Sequence, residues 1–261
     1  MPDPVFQLHD FVDLPHGPVL VAAEAHQDTE MVSLPHHHAR GQLFGSLRGL
    51  LSVAVDDGMW LVPSIHALWV PPHALHSGRS HGPFHGFSVY VAEPACTDLP
   101  KRSCTIRTSG LLREAVLRAC GWGAAVTPLT ESRAHVAAVI LEEIRSLPIE
   151  PFGLPLPRDA RLLRIAQAFV ADPADDRDLE RWAAWGCVSS RTLSRRFVAE
   201  TGFNFTVWRQ RARMMRSLQM LATGRSVTAI ALELGYSTAS AFIGAFKRTF
   251  GDTPTAYRTR L

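Results

Sequence analysis

No apolar run in this chain of 261 residues approaches the ~20 residues needed to cross a bilayer, so neither a membrane span nor a membrane partner is expected. The first residues, Met1-Pro2-Asp3-Pro4, bring acid and proline where a secretory signal brings basic residues and an apolar stretch. The four cysteines, Cys96, Cys104, Cys120 and Cys187, form no C-x-x-C pair. That excludes a cysteine zinc site and a disulfide framework and leaves reduced thiols, so a cytoplasmic location is expected. Low-complexity segments, a serine or cysteine nucleophile motif and a glycine-rich phosphate loop are all absent. With 46% apolar residues, the chain still has enough to bury a core.

The net charge of +3 hides an uneven distribution. Residues 1–157 hold 10 Lys+Arg and 15 Asp+Glu, and residues 158–261 hold 17 and 9, so the two parts carry −5 and +8. Eleven of the twelve histidines precede residue 86. Such asymmetry points to an anion-binding module in one half. Four prolines within residues 148–157 cannot sit inside a helix and stiffen a connection. The expected domains are therefore 1–147 and 158–261, with 148–157 as linker.

Upstream, Leu43–Val55, Met59–Val70 and His85–Val91 read as strands, with Asp56-Asp57-Gly58 as a hairpin signal. Short strands with Gly and Pro between them suggest a small sandwich or barrel. Residues 109–121 and 131–147 read as helices. Leu112, Ala115, Val116 and Ala119 form one stripe, and Val136, Val139, Ile140 and Ile144 another. Two readings stand for this pair, a dimerising surface or a cover for the barrel. Trp60, Trp69 and Phe87 fit either a pocket lining or plain core. His66, His81 and His85 are expected on the surface or in loops.

Downstream, everything reads as helix. Arg161–Val170 and Asp178–Trp185 come first, and Ser189 then caps a helix to about Glu200. Asn204 caps a long helix to Thr223 with the stripe Phe205, Trp208, Ala212, Met215, Leu218 and Ala222, and Gly224 stops it. Val227–Leu234 follows, and Thr238 caps a helix to Phe250. One unit occurs twice: a short helix, a tight turn, then a helix with aromatic anchors, Phe197 in one copy and Phe242 and Phe246 in the other. This is helix-turn-helix spacing, whose second helix can lie in a major groove. The first such helix turns Ser190, Arg191, Ser194, Arg195 and Val198 outward, and arginine forks match guanine or phosphate. Arg209, Arg213 and Arg216 line the long helix, facing phosphate or water.

Residues 159–260 resemble the AraC/XylS family of transcription regulators. Ser189, Leu193, Arg195, Phe197, Gly202, Trp208, Ile230, Gly235-Tyr236, Ser240, Phe242, Phe246-Lys247, Gly251, Pro254 and Tyr257-Arg258 carry the resemblance. It implies a monomer that sets two recognition helices in adjacent major grooves, with the other domain sensing an effector or dimerising. The implied base-contacting positions are Arg191, Ser194 and Arg195 in the first helix and Ala239, Ser240 and Gly244 in the second. Ser190, Arg196, Thr238, Lys247 and Arg248 complete the DNA-facing set. Ala239 and Gly244 offer no hydrogen-bonding side chain, so the first helix is expected to read bases and the second to position through Ser240, Lys247 and Arg248.

Residues 30–92 resemble a cupin barrel. Its first motif reads His36-x-His38-x3-Gln42-x6-Gly49, and its second Pro71-x-His73-x2-His76. On a strand, His36 and His38 share a face. Gln42 stands where the motif has an acidic ligand, and His73 where it has a turn glycine. The metal candidates are His36, His38, Gln42 and His76, for zinc, nickel or iron. A metal-free ligand pocket and a structural or pH-responsive histidine cluster remain open beside that reading, and no cofactor is required.

The expected fold is α+β: a cupin-like barrel with a helical hairpin, then an all-α domain with two helix-turn-helix motifs. The expected function is sequence-specific DNA-binding regulation controlled by a small-molecule or metal effector, not catalysis. Double-stranded DNA is the main partner, with RNA polymerase and a second copy of the chain as further ones. The alternative is a metal-dependent cupin enzyme with an accessory helical domain. The duplicated motif and the missing acidic ligand both count against it.

Overall fold

The structure is a computed structural model that describes residues 17–55, 58–123, 130–150 and 152–259. Met1-Pro2-Asp3-Pro4 and the Asp56-Asp57 pair of the expected hairpin lie outside the described residues. Apart from residues 57–59, one compact unit ends at Gly153 and a second begins at Leu154. Among the described residues, no helix is long and apolar enough to cross a membrane.

The first unit contains β1 (Leu20–Gln27), β2 (Gly41–Arg48), β3 (Leu50–Val55), β4 (Gly58–Pro63), β5 (His66–Val70), β6 (His76–Ser80), β7 (Phe84–Val91), β8 (Cys104–Arg107) and β9 (Ile149–Glu150). One sheet has the order β1-β7-β2-β5-β8-β9, and in the other β4, β3 and β6 are neighbours. The two long apolar runs of the sequence are each two strands, because the chain changes sheet partway along. Gly49 makes the first corner at φ +90, where a Cβ would sit 2.5 Å from the Pro83 carbonyl. Ile65 makes the second at φ +65. β6 reads His-Ser-Gly-Arg-Ser and carries no apolar pattern. It is a strand because its backbone pairs with β3 from Leu51–Ser80 to Val55–His76.

Alternation along the strands sorts side chains into two cores. Leu43, Trp69, Phe87, Val89 and Val91 face outward, where α1 (Gly110–Cys120) and α2 (Glu131–Ser146) cover them with Leu112, Val116, Ala119, Ala137, Ile140 and Ile144. The inward set is Leu51, Val53, Val55, Trp60, Val62, Leu68, Val70 and Phe84. Each fully buried side chain of this kind contributes roughly 1.5–3 kcal/mol. The helix pair is thus a cover for the sheet, and its buried stripe on α2 starts at Ala137, while Val136 and Val139 are only half-buried. Trp60, Trp69 and Phe87 are core. His66 is a correction: it is buried on β5, whose residues are all buried, and its ring lies 4.4 Å from that of Phe152. Burial lowers its pKa to about 4.

The second unit contains α3 (Ala160–Ala171), α4 (Leu179–Trp185), α5 (Ser190–Thr201), α6 (Phe205–Ala222), α7 (Val227–Glu233), α8 (Ala239–Phe250) and α9 (Pro254–Arg258). The starts follow capping chemistry. The side chains of Ser189, Asn204 and Thr238 accept from the backbone N–H of Thr192, Val207 and Ala241. α5 and α8 both end on a left-handed glycine, Gly202 and Gly251. Trp182, Phe197, Phe205 and Trp208 pack edge-on or stacked around the first helix pair. Phe242, Phe246, Phe250 and Tyr257 do so around the second. On α6 the buried set is wider than one stripe and adds Met214, Met220 and Leu221, whereas Ala222 is half-exposed.

The two motif turns are built alike. Val188 N donates to Ala183 O, and Tyr236 N to Ala231 O, at 3.0 and 2.9 Å. Between these bonds the second copy uses Gly235 at φ +76, and the first uses Cys187 at φ +55. A side chain in that region costs roughly 1–2 kcal/mol, partly offset by glycine's freedom in the unfolded chain. Cys187→Gly is therefore expected to stabilise the protein by roughly 0.5–1 kcal/mol. Thermal unfolding checks this, and an unfolding temperature that stays put or falls would refute it.

Candidate functional site

Two sets of residues are candidates, one in each unit. In the second unit, Arg191, Ser194, Arg195 and Val198 form one row on α5, at spacings of three and four. Arg191, Arg195 and Val198 are exposed, and Ser190 and Ser194 are half-buried at the edge of the row. Neither Arg191 nor Arg195 has a hydrogen bond or ion pair to any described residue, so both guanidinium groups are available to an outside anion. On α8 the matching row runs through Ser240, Gly244, Lys247 and Arg248. Ser240, Lys247 and Arg248 are exposed, and Ala239 and Gly244 half-buried. Counting from the anchors Phe197 and Phe246, Gly244 stands where α5 has Arg195. Thr238 is exposed, and its hydroxyl oxygen is used as the cap of α8.

Three of the expected surface arginines, Arg196, Arg209 and Arg213, are turned to the protein itself, and so is Arg211. Arg196 pairs with Asp159 and lies 3.0 Å from Glu200, whose carboxylate also accepts from the backbone N–H of Arg158 and Asp159. This network ties α5 to the start of α3, so the structure does not bring Arg196 into the DNA-facing row. Arg209 donates to Arg177 O and Asp175 O, both at 2.8 Å, with its guanidinium 4.8 Å above the Phe169 ring. Arg213 donates to Pro173 O at 2.8 Å, and Arg211 lies over Phe203. Burial lowers the pKa of Arg209 and Arg211. Arg209 and Arg213 hold the loop after α3, a role that spacing alone does not disclose because their partners lie 32 to 40 residues away. Arg216 stays exposed beside Gln219.

In the first unit, His36, His38 and His76 do converge, with one ligating nitrogen from each within 4.8 Å of the others. A backbone bridge between His36 and His76 sets two of them side by side. Gln42 joins them from β2, where it faces the barrel interior between Val70 and Tyr90. His73 takes φ +63, the left-handed conformation a glycine would supply there, and its N–H donates to His38 O at 2.9 Å. His81 and His85 lie outside this group, beside Ser52 and Glu24.

The hydrogen bonds fix the chemistry of the pocket. Nδ1 of His36, His38 and His76 lies 2.8, 2.7 and 2.8 Å from the carbonyls of Leu34, Arg40 and Ala74. A carbonyl only accepts, so each Nδ1 carries a hydrogen and each neutral ring keeps its lone pair on Nε2. Burial, reinforced by the neighbouring histidines, lowers the His76 pKa to about 4, so this ring is neutral at pH 7. Gln42 Oε1 lies 2.9 Å from His38 Nε2 and 3.1 Å from His76 Nε2, and its nitrogen 3.2 Å from Ser88 Oγ. Three lone pairs and one amide oxygen thus share one small space. The set is compatible with a borderline transition metal, whose histidine ligands are commonly oriented by such Nδ1 bonds. The Ser88 partner was not visible in the sequence, because the serine is 46 residues from Gln42.

The chain matches two protein families: an AraC-like ligand binding domain over residues 17–172 and a helix-turn-helix domain over residues 182–260. It is 30% identical over 249 residues to the HTH-type transcriptional regulator NimR of Escherichia coli, covering 94% of this chain and 90% of that protein. It is 39% identical over 106 residues to the HTH-type transcriptional regulator RipA of Corynebacterium glutamicum, covering 41% of this chain and 31% of that protein. Among solved structures, ToxT of Vibrio cholerae with an unsaturated fatty acid bound aligns over 93% of this chain and 95% of that one, with 10% identity and a TM-score of 0.41.

The Asp159 carboxylate accepts first from the Arg161 side chain and then from the backbone N–H of Arg161 and Leu162, which holds its pKa down to about 2. Its folded pKa lies below the unfolded value of about 3.9, so the stabilisation is complete above that pH and is lost as pH falls toward 2. Asp159→Asn is expected to lower stability at pH 7 and to close the gap to the parent protein between pH 4 and 2. Urea unfolding across that range measures it, and a gap that persists at pH 2 would remove the assignment.

Proposed function

The chain belongs to the AraC family of transcription regulators, and we propose that it reads DNA chiefly through Arg191, Ser194 and Arg195 on α5. It is a DNA-binding regulator with a ligand-binding domain in front of its helix-turn-helix domain, and not an enzyme. The observation that carries the finer reading is the difference between the two helix faces. α5 presents two arginines with no internal partner, and α8 presents Ser240 and Gly244 at the matching places, with its cations one turn later at Lys247 and Arg248. Side chains that fork onto guanine discriminate sequence, and cations that meet phosphate only position.

The eighteen residues of α6 span about 27 Å at 1.5 Å per residue, against ~34 Å between successive major-groove faces on one side of a duplex. That length supports a two-groove arrangement. Effector control by a small molecule or metal is assigned to the pocket of His36, His38, Gln42 and His76. RNA polymerase and a second copy of the chain belong to the same proposal as protein partners. The apolar stripes of α1 and α2 are used on their own sheet, so self-association would use other side chains.

Arg195→Ala is expected to cost roughly 1–3 kcal/mol of binding to the preferred site and to relax preference at one base position. Selection of binding sites from random DNA, run with parent and variant, tests it, and an unchanged preference overturns the assignment. Lys247→Ala is expected to weaken binding to all sequences alike and to reduce the salt slope by about 1. Affinity titrations at several salt concentrations give that slope.

A further inference from the structure

We infer that Val198 is a specificity-determining residue whose methyl groups meet the 5-methyl group of one thymine, beside the base that Arg195 reads. The inference rests on the reading of α5 as the helix that discriminates sequence. It begins from a residue whose type and place disagree. Val198 is apolar, yet it is 45% exposed, on a helix whose larger apolar side chains, Leu193 and Phe197, are fully buried. Valine is also a poorer helix former than the charged residues that usually fill an exposed helix position. Neither packing within the unit nor helix propensity accounts for it.

Its place in the row does. Arg191, Ser194, Arg195 and Val198 stand at i, i+3, i+4 and i+7, and another class of helix-turn-helix protein reads bases from four positions with this same spacing. A helical side chain leans toward the N-terminus of its helix, so the valine methyls cover the ground beside Ser194 and Arg195 and prolong the row. The repeat within the chain supplies a comparison. Counted from the anchors Phe197 and Phe246, Val198 stands where α8 has the exposed Lys247. The same position thus carries a cation in the copy assigned to phosphate and an uncharged, apolar group in the copy assigned to bases.

The apolar group names its partner. Of the four bases, thymine alone presents a methyl group in the major groove, next to its O4 acceptor. Against guanine, adenine or cytosine a valine makes no hydrogen bond and leaves polar edge atoms without a partner, which costs affinity. Valine in a helix is held almost wholly in one χ1 rotamer, so its methyls are in place before DNA arrives and little entropy is lost on contact. The three residues from Arg195 to Val198 advance about 4.5 Å along the helix, against ~3.4 Å per base step. The thymine is therefore assigned to within one or two steps of the base that Arg195 reads.

The test replaces the thymines of the selected binding site by deoxyuridine, one at a time, which removes the methyl group and keeps O4. Fluorescence anisotropy gives the affinity of each DNA for the full-length parent and for Val198→Ala. One replacement, within one or two steps of the position that Arg195→Ala relaxes, is expected to weaken the parent by about threefold to fivefold, the worth of one buried methyl group. In Val198→Ala the same replacement is expected to change affinity by less than about twofold, because the shortened side chain no longer reaches the methyl group. A parent indifferent to every replacement overturns the inference, and that result needs no variant to fold. So does a sensitivity that Val198→Ala keeps in full. Either result leaves the Arg195 assignment standing, since that is read from base preference in its own variant. An Arg195→Ala variant with unchanged preference removes the DNA-reading proposal instead, whatever the thymines show.

Discussion

The second unit depends on one helix being buried from both sides. α6 has to anchor the helix pair before it and the pair after it, and its residues divide accordingly. Phe205 and Trp208 at its start enter the ring cluster of Phe169, Trp182 and Phe197. Met214, Leu218, Met220 and Leu221 are buried further along. Trp208 is fully buried, and its indole N–H reaches Pro155 O at 2.8 Å, so the start of the unit is pinned to the same residue. This rod packs against both helix pairs. A rod is well suited to that task, because its rise per residue is fixed by backbone hydrogen bonds and not by side chains.

The first unit meets a different constraint: its pocket must hold polar groups inside an apolar barrel. The solution is to give the polar side chains of the pocket hydrogen-bond partners. His38 and His76 lean on backbone carbonyls, Gln42 on the rings and on Ser88, and Arg40, fully buried, on Pro18 O at 2.8 Å. Such a network is costly when half made, so it fixes side-chain positions more firmly than packing alone. The two corners at Gly49 and Ile65 make this possible. They return each long strand run to the other sheet, which puts Gln42 and the inward face of β7 on the barrel interior.

The helical unit was legible in the sequence nearly residue by residue, because caps, glycine stops and aromatic spacing are local signals. The barrel was legible only where apolar alternation marked it. β6 escaped because a strand of His, Ser, Gly and Arg is defined by its pairing partner and not by its own pattern. The corner at Ile65 escaped because an isoleucine does not announce a positive φ. The motif positions His36, His38, Gln42 and His76 could be read as a set. The direction of the three Nδ1 atoms, on which the chemistry of the pocket turns, depends on carbonyls whose placement only the fold supplies.

Charge shows the same limit from the other side. The excess of +8 in residues 158–261 suggests a uniformly basic face. The structure divides it. Arg196, Arg209 and Arg213 serve backbone carbonyls or carboxylates within the unit. Arg177 lies on Asp175 with its guanidinium 3.8 Å above the Trp182 ring. Exposed cations left for an outside anion include Arg191 and Arg195 on one helix and Lys247 and Arg248 on the other, with Arg216 on α6. A field carried by a few unpaired cations on two rigid helices has direction as well as sign. Direction is what separates a protein that reads a groove from one that merely adheres to phosphate.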